Sequence, residues 1–410
     1  MKKEHLYSKK WLSFYSLPLC AFFLLSNFIA IPNYGRTYFV SPKGNDLNPG
    51  TKGQPFQSWQ KLSGLLLPGD TAFIRGGTYY GNAGSQSIFY HLLNISGNSK
   101  NAVSIFNYPG EAPVLNLSSI NITYPNPTAL LIENCNYLHL KGIRITGLKQ
   151  IRNGTGISRG MELRNASHNL IEQVEIDHLE GYGFIIGENS NENLFLNCDA
   201  HHLSDPNTQG GNWSNANGFQ CTGGTKARGN IFRGCRAWWI SDDGFDLYGV
   251  DGDFLFDRCW SFWNGFKPGT FIPVGDGDGF KLGPQSNSHP FKDSVTRILT
   301  HCIAAGNRGS GFDQNKGDFR FLLKDNISQS NGSYGFMFDY IHPHRSQQFL
   351  GNKSVSDKFP RRGEETNGLG NSWDKNFSQT LYPLNINSLA AKRTREGNLP
   401  QPKYITKSLE

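Results

Sequence analysis

Methionine is scarce, at three residues, and charged side chains make up only 18% of the 410 residues. Helical bundles and coiled coils draw on Ala, Leu, Glu and Lys with few breakers, so this composition excludes both. No CxxC pair occurs, which removes the usual zinc frameworks. Beyond the N-terminus, no apolar run is long enough to span a bilayer. Basic residues do not cluster, so the net charge of +7 does not point to nucleic acid. What is plentiful is turn chemistry, with 47 Gly and 20 Pro. Aromatic residues at 13% are too many for a disordered chain. The class left is a turn-rich, mostly β protein, and β repeats can run this long as one domain.

Lys2, Lys3, Lys9 and Lys10 precede an apolar stretch from Trp11 to Ile31. A basic flank before a short apolar run reads as an export signal over residues 1–31, with an uncleaved anchor as the alternative. Residues 32–410 are then the exported domain, expected to be monomeric and free of the membrane. Loss of the first 30 residues takes four Lys and Glu4, so +7 becomes about +4. That mild excess suits an acidic polymer. Six Cys remain, and five of them (Cys135, Cys198, Cys235, Cys259 and Cys302) follow similar sequence contexts. They read as buried small residues stacked in one recurring slot rather than as disulfide partners.

A Gly-aromatic or Gly-Met pair recurs at Gly160, Gly183, Gly218, Gly244, Gly279, Gly311 and Gly335, with spacings of 23, 35, 26, 35, 32 and 24. Short strands at such a period mark a solenoid, and with no helix between them the solenoid is a parallel β-helix. Phe56, Trp59, Leu62, Leu65 and Leu66 fall at helical spacing, which predicts a capping helix over 55–66 inside an N-terminal cap region of 32–75. Residues 361–410 are polar and are expected to wrap the outside. Insertions near 203–215, 266–275 and 284–293 are expected to build the binding face.

Strand alternation turns the repeat into a surface map. If each aromatic points inward, the next residue points out, giving Glu162, Ile185, Gln220, Asp246, Lys281, Asp313 and Met337. The residue before each Gly gives Arg159, Tyr182, Asn217, Asp243, Asp278, Ser310 and Tyr334. Asp242, Asp243 and Asp246 therefore share one turn and strand, with Asn217 a coil below and Lys281 a coil above. Close carboxylates repel unless a cation joins them, and oxygen ligands on a roomy turn favour Ca2+. A solvated acidic turn is the plain alternative. Lys281 is equally a salt-bridge partner of the acids or a base.

The blocks Trp238–Leu247, Gly275–Gly283 and Gly311–Asn315, with Tyr38–Pro42 upstream, resemble the pectate lyases of polysaccharide lyase family 9. The resemblance covers nearly all of the exported chain. It implies a right-handed β-helix and calcium-dependent lysis of pectic polymers, with calcium held by four acids and a Lys as base. Carried over, it implies Asp242, Asp243 and Asp246 as calcium ligands and Lys281 as base. The fourth acid stands in an Ala-Asp-Gly-Phe context, which here reads Ala216-Asn217-Gly218-Phe219. Asn217 keeps a side-chain carbonyl for a metal, with one negative charge fewer. The implied substrate is a pectic uronan, polygalacturonate first and rhamnogalacturonan I second. Asp313, Arg236, Arg308, Trp213 and His289 are candidate substrate contacts. Asp251 with Asp253, and Asp276 with Asp278, read as tight turns or as a second cation site. Rival readings are a hydrolase using paired Asp, a binding protein without activity, and an epimerase or alginate lyase of similar fold.

Overall fold

Each Gly-aromatic pair opens a short strand, and each strand lies parallel on its counterpart one coil away. The computed structural model describes residues 35–405 except 82–86, 152–155, 188, 208–212, 223–226, 284–294, 318, 340–346 and 364–366. The expected signal segment 1–31, the 284–293 insertion and His289 lie outside the described residues. Among the described residues, three parallel sheets of twelve, ten and ten strands form the walls of a right-handed β-helix. The twelve-stranded sheet runs from Thr37–Val40 to Asn367–Leu369. One ten-stranded sheet, here the site sheet, runs from Ile88–Leu93 to Phe359–Arg362. The other, here the strap sheet, runs from Gly77–Tyr80 to Lys353–Val355.

The core is built from like residues on like. Phe184, Phe219, Phe245, Phe280, Phe312 and Phe336 stack with ring centroids 4.7 to 5.0 Å apart. That spacing matches the roughly 4.8 Å between strands, so offset stacking comes free with the ladder. Phe195, Phe232 and Phe256 make a second stack in the twelve-stranded sheet. The Gly before each Phe has its own reason: a Cβ at Gly244 would sit on Ser261 Oγ, and one at Gly279 would lie 2.6 Å from the Gly311 carbonyl. Corners are tied by buried Asn ladders, such as Asn169 to Asn193 at 3.0 Å and Asn193 to Asn230 at 3.1 Å.

Two expectations change. The predicted capping helix is only a 3-10 turn, Trp59–Leu62, whose Ser58 makes no side-chain cap. Trp59 and Leu62 are nevertheless buried and close the end of the stack. The six cysteines are free and buried. Cys198, Cys235, Cys259 and Cys302 share the corner between the twelve-stranded and strap sheets, but Cys135 follows Thr128–Glu133 of the site sheet and occupies a different corner.

The last strands, Phe359–Arg362 and Asn367–Leu369, are still coils. The chain then returns along the strap sheet. Gln329 Nε2 donates to the Leu384 carbonyl at 2.9 Å, Arg236 to those of Leu389 and Ala391, and Gln173 to that of Glu396. Leu384 and Leu389 cover Trp238, Trp260, Phe262 and Ile303 in a second apolar cluster.

Candidate active site

The site sheet carries the predicted register: Asp246 pairs with Gln220 on one side and Lys281 on the other, and Lys281 pairs with Asp313. The residues before each Gly form the second column that the spacing predicted, and hydrogen bonds join it into a ladder. Asn217 Oδ1 accepts the Asp243 N–H at 2.9 Å, Asp243 Oδ1 the Asp278 N–H at 2.7 Å, and Asp278 Oδ1 the Ser310 N–H at 2.6 Å. Each side chain thus holds the backbone of the coil above.

Charge accumulates between the ladders. Asp242, Asp243, Asp246, Asp278 and Asp313 are all buried. Lys281 Nζ meets Asp243 Oδ2 at 2.9 Å and lies 3.8 Å from Asp276, whose side chain is exposed. Burial, then Asp243, pushes the Asp242 carboxyl well above its ordinary range. Burial raises Asp246 to about 7 and Asp313 to about 6. Burial and then Asp313 raise Asp278 as well. Burial alone would lower the Lys281 ammonium, but Asp243, Asp246, Asp242 and Asp278 outweigh it and hold the proton well above the usual lysine range. In this arrangement the Lys281 ammonium is the ion-pair partner of Asp243.

The donor set fits a hard divalent cation. Asp242, Asp243 and Asp246 bring three buried carboxylates against one ammonium. Their oxygens are held by the Asp276, Asp278 and Tyr248 amides. A shared ion requires them to turn toward one another from these ladder positions. In this arrangement Asn217 has only the second lone pair of Oδ1 left for a metal. Its Oδ1 accepts the Asp243 N–H, and its Nδ2 faces the site and donates to Asp246 Oδ2 at 2.9 Å and to Gln220 Oε1. An N–H group cannot coordinate a metal.

The other predicted contacts separate. Trp213 is half-buried at the rim, where its carbonyl accepts from Ser241 Oγ at 3.0 Å and Lys267 lies 5.8 Å from its ring. Arg308 is exposed and donates to the Gly275 carbonyl beside the Asp242 turn. Arg236 belongs elsewhere: it is buried on the strap sheet, paired with Asp199 at 2.7 Å, because the returning C-terminal segment covers it. Asp278 and Asp276 do not pair as a cation site, since one is buried in the ladder and the other faces solvent. Tyr182 was missed. It stands opposite Arg159, and burial followed by Asp246, Asp205 and Asp242 raises its hydroxyl pKa.

Comparison with known proteins places this geometry. Pectate lyase L of Dickeya dadantii is 28% identical over 387 residues, covering 89% of this chain and 82% of its own. Pectate lyase PEL9 of Emericella nidulans is 29% identical, covering 90% of this chain and 91% of its own. Pectate lyase L of Paenibacillus polymyxa is 31% identical, covering 86% and 74%. Among solved structures, a rhamnogalacturonan lyase superposes with a TM-score of 0.76 at 26% identity over 90% of this chain and 95% of that one. Pectate lyase Pel9A gives 0.72 at 26% identity over 92% and 89%. The model of the Pel9A-like right-handed β-helix region matches residues 38–348, and the chain belongs to this family of polysaccharide lyases.

Proposed function

We propose that this protein is an exported lyase that cleaves a pectic uronan, polygalacturonate in the first instance, by β-elimination with a divalent cation of the Ca2+ type. The observation that carries the reading is Lys281 seated above three buried aspartates on the outward column of the site sheet. Asp242, Asp243 and Asp246 would hold the cation. When bound, it supplies positive charge that offsets the aspartates and the charge developing beside the substrate carboxylate.

The remaining roles fall to this chain's own residues. Lys281, relieved of the pull of the aspartates, takes the proton from carbon 5 of the uronate. The glycosidic oxygen on carbon 4 then leaves and an unsaturated sugar end remains. No second carboxylic acid is needed, unlike hydrolysis. Asp243 sets the position of Lys281 through their 2.9 Å ion pair. Arg308 and Trp213 stand at the rim, where a guanidinium and a ring suit a uronate chain. The basic-then-apolar N-terminus supports export.

A second reading, rhamnogalacturonan I as the polymer, is favoured by the 0.76 superposition on a rhamnogalacturonan lyase. The test is ultraviolet absorbance of the conjugated product, on both polymers, with Ca2+ and with chelator. A rise that chelator abolishes supports the reading and names the polymer. No rise on either polymer, from folded protein, refutes it.

A further inference from the structure

The outward face of the strap sheet gathers imidazoles and carboxylates that the lyase reaction does not use. Glu175 and Asp177 are two residues apart on one strand, so both point to the same face. His201 is the register partner of Asp177 on the next coil. Ligand atoms of Glu175, Asp177 and His201 lie within 4.8 Å of one another, and among the described residues no other such trio occurs. The closest approach is His201 Nε2 to Glu175 Oε1, at 3.1 Å.

The surroundings are organised as a metal-bound imidazole needs. His201 is pinned by stacking on Trp238, with ring centroids 4.2 Å apart. Its Nδ1 meets His202 Nδ1 at 2.8 Å. Only one hydrogen fits between two ring nitrogens. If His201 carries it, the Nε2 lone pair faces the Glu175 oxygen, and a cation fills the gap between two electron-rich atoms. His202 is then the acceptor that fixes the tautomer, as the partner of a ligating His does. Asp177 is held by Arg144 at 2.6 and 2.9 Å, by Thr146 at 2.9 Å and by His178 at 2.6 Å. Most of these bonds fall on Oδ1, and Oδ2 accepts from Arg144 Nε. Each carboxylate oxygen has two lone pairs, so Oδ2 retains one for a ligand. Arg144 leaves the cluster one net negative charge when the imidazoles are neutral. Glu175 is open to solvent at 44%, so the ion has an entry path and an open coordination position.

We propose that Glu175, Asp177 and His201 form a second cation site, for a first-row transition metal of the zinc class, that clips two neighbouring coils of the strap sheet. Mixed imidazole and carboxylate ligands select Zn2+, Co2+ or Ni2+ over Ca2+. The two sites therefore differ in chemistry as well as place.

The test is titration of the chelator-stripped full chain with Co2+ in excess Ca2+, which occupies any all-oxygen site. Visible absorption of imidazole-bound Co2+ is the readout, and displacement by Zn2+ is the check. The expected result is one equivalent bound in the micromolar range. Affinity should fall roughly 10- to 100-fold in His202→Ala, which acts through His201, and further in His201→Ala. Glu175→Gln, at an exposed position that leaves the fold intact, should weaken binding as His201→Ala does, and His301→Ala should not. Absence of micromolar binding, or binding unchanged by both His201→Ala and Glu175→Gln, would overturn the proposal.

Discussion

Replacing Asn217 by Asp tests what the site lacks. In the parent, Asn217 Nδ2 donates to Asp246 Oδ2 at 2.9 Å. In Asn217→Asp that donor becomes an oxygen, and a fourth carboxylate faces Asp246. If both were ionised at that separation, an effective dielectric of about 20 gives roughly 6 kcal/mol of repulsion. The protein escapes most of it by keeping a proton between the two. Asp246 already titrates at about 7, raised by burial. The new pair then stays singly protonated at least to neutral pH. An unfolded Asp ionises near 3.9, so folding must hold a proton that the unfolded chain releases. The parent bears the same cost up to about pH 7, where Asp246 gives up its proton. The variant's extra loss is therefore small up to neutral pH, then grows by about 1.4 kcal/mol per pH unit and reaches about 3 kcal/mol at pH 9. Calcium should reverse it, because the fourth carboxylate then faces a cation. The assay is denaturant unfolding of parent and variant at pH 7 and 9, each with chelator and with Ca2+. A stability difference that does not change with pH, or an equal calcium benefit in both proteins, would refute this account of the site.

Lys281→Ala should lower lyase activity at least about 100-fold, the usual contribution of a positioned base, with the melting curve read alongside to confirm folding. Chelator should abolish product formation by the parent, and added Ca2+ should restore it, followed by ultraviolet absorbance. On the strap sheet, Arg236 and Arg393 overcome the effect of burial and hold Asp199 down at about 2. A depressed carboxyl stabilises above its unfolded value and loses that effect as pH falls. About 2 kcal/mol should therefore disappear between pH 4 and pH 2 in the parent and less in Arg393→Ala, measured by unfolding at each pH. Phe280→Ala removes one ring from a continuous stack and should cost about 3 to 5 kcal/mol in the same assay.

The coil register was legible because the Gly-Phe pair reports two constraints at once: close backbone approach at Gly244 or Gly279, and ring stacking at the next residue. One correct pairing then fixes every outward residue, since a slip by one would expose the Phe column. That is why Asp246, Lys281 and Asp313 were found together. The direction of Asn217 was not legible. It depends on which atom the Asp243 N–H takes, a matter of ångströms that spacing does not encode. Arg236 was misread because its covering segment lies 153 to 155 residues further along the chain. The capping helix failed locally: Gly64 adopts a positive φ and Pro68 follows closely, so the apolar spacing of 56–66 never gains a second turn.

The returning C-terminal segment has a consequence for how the chain matures. A solenoid whose coils touch only their neighbours can assemble from its first coil as it is synthesised. Here the outer side of the strap sheet cannot be finished that way. Trp238, Trp260, Phe262 and Ile303 are shielded by Leu384 and Leu389, which leave the ribosome more than 80 residues after Ile303. Until those residues arrive, a nascent chain displays an aromatic strip along the strap sheet. A product cut short before Leu384 would display it permanently, and such a strip is a sticky surface for chaperones or for other unfinished copies.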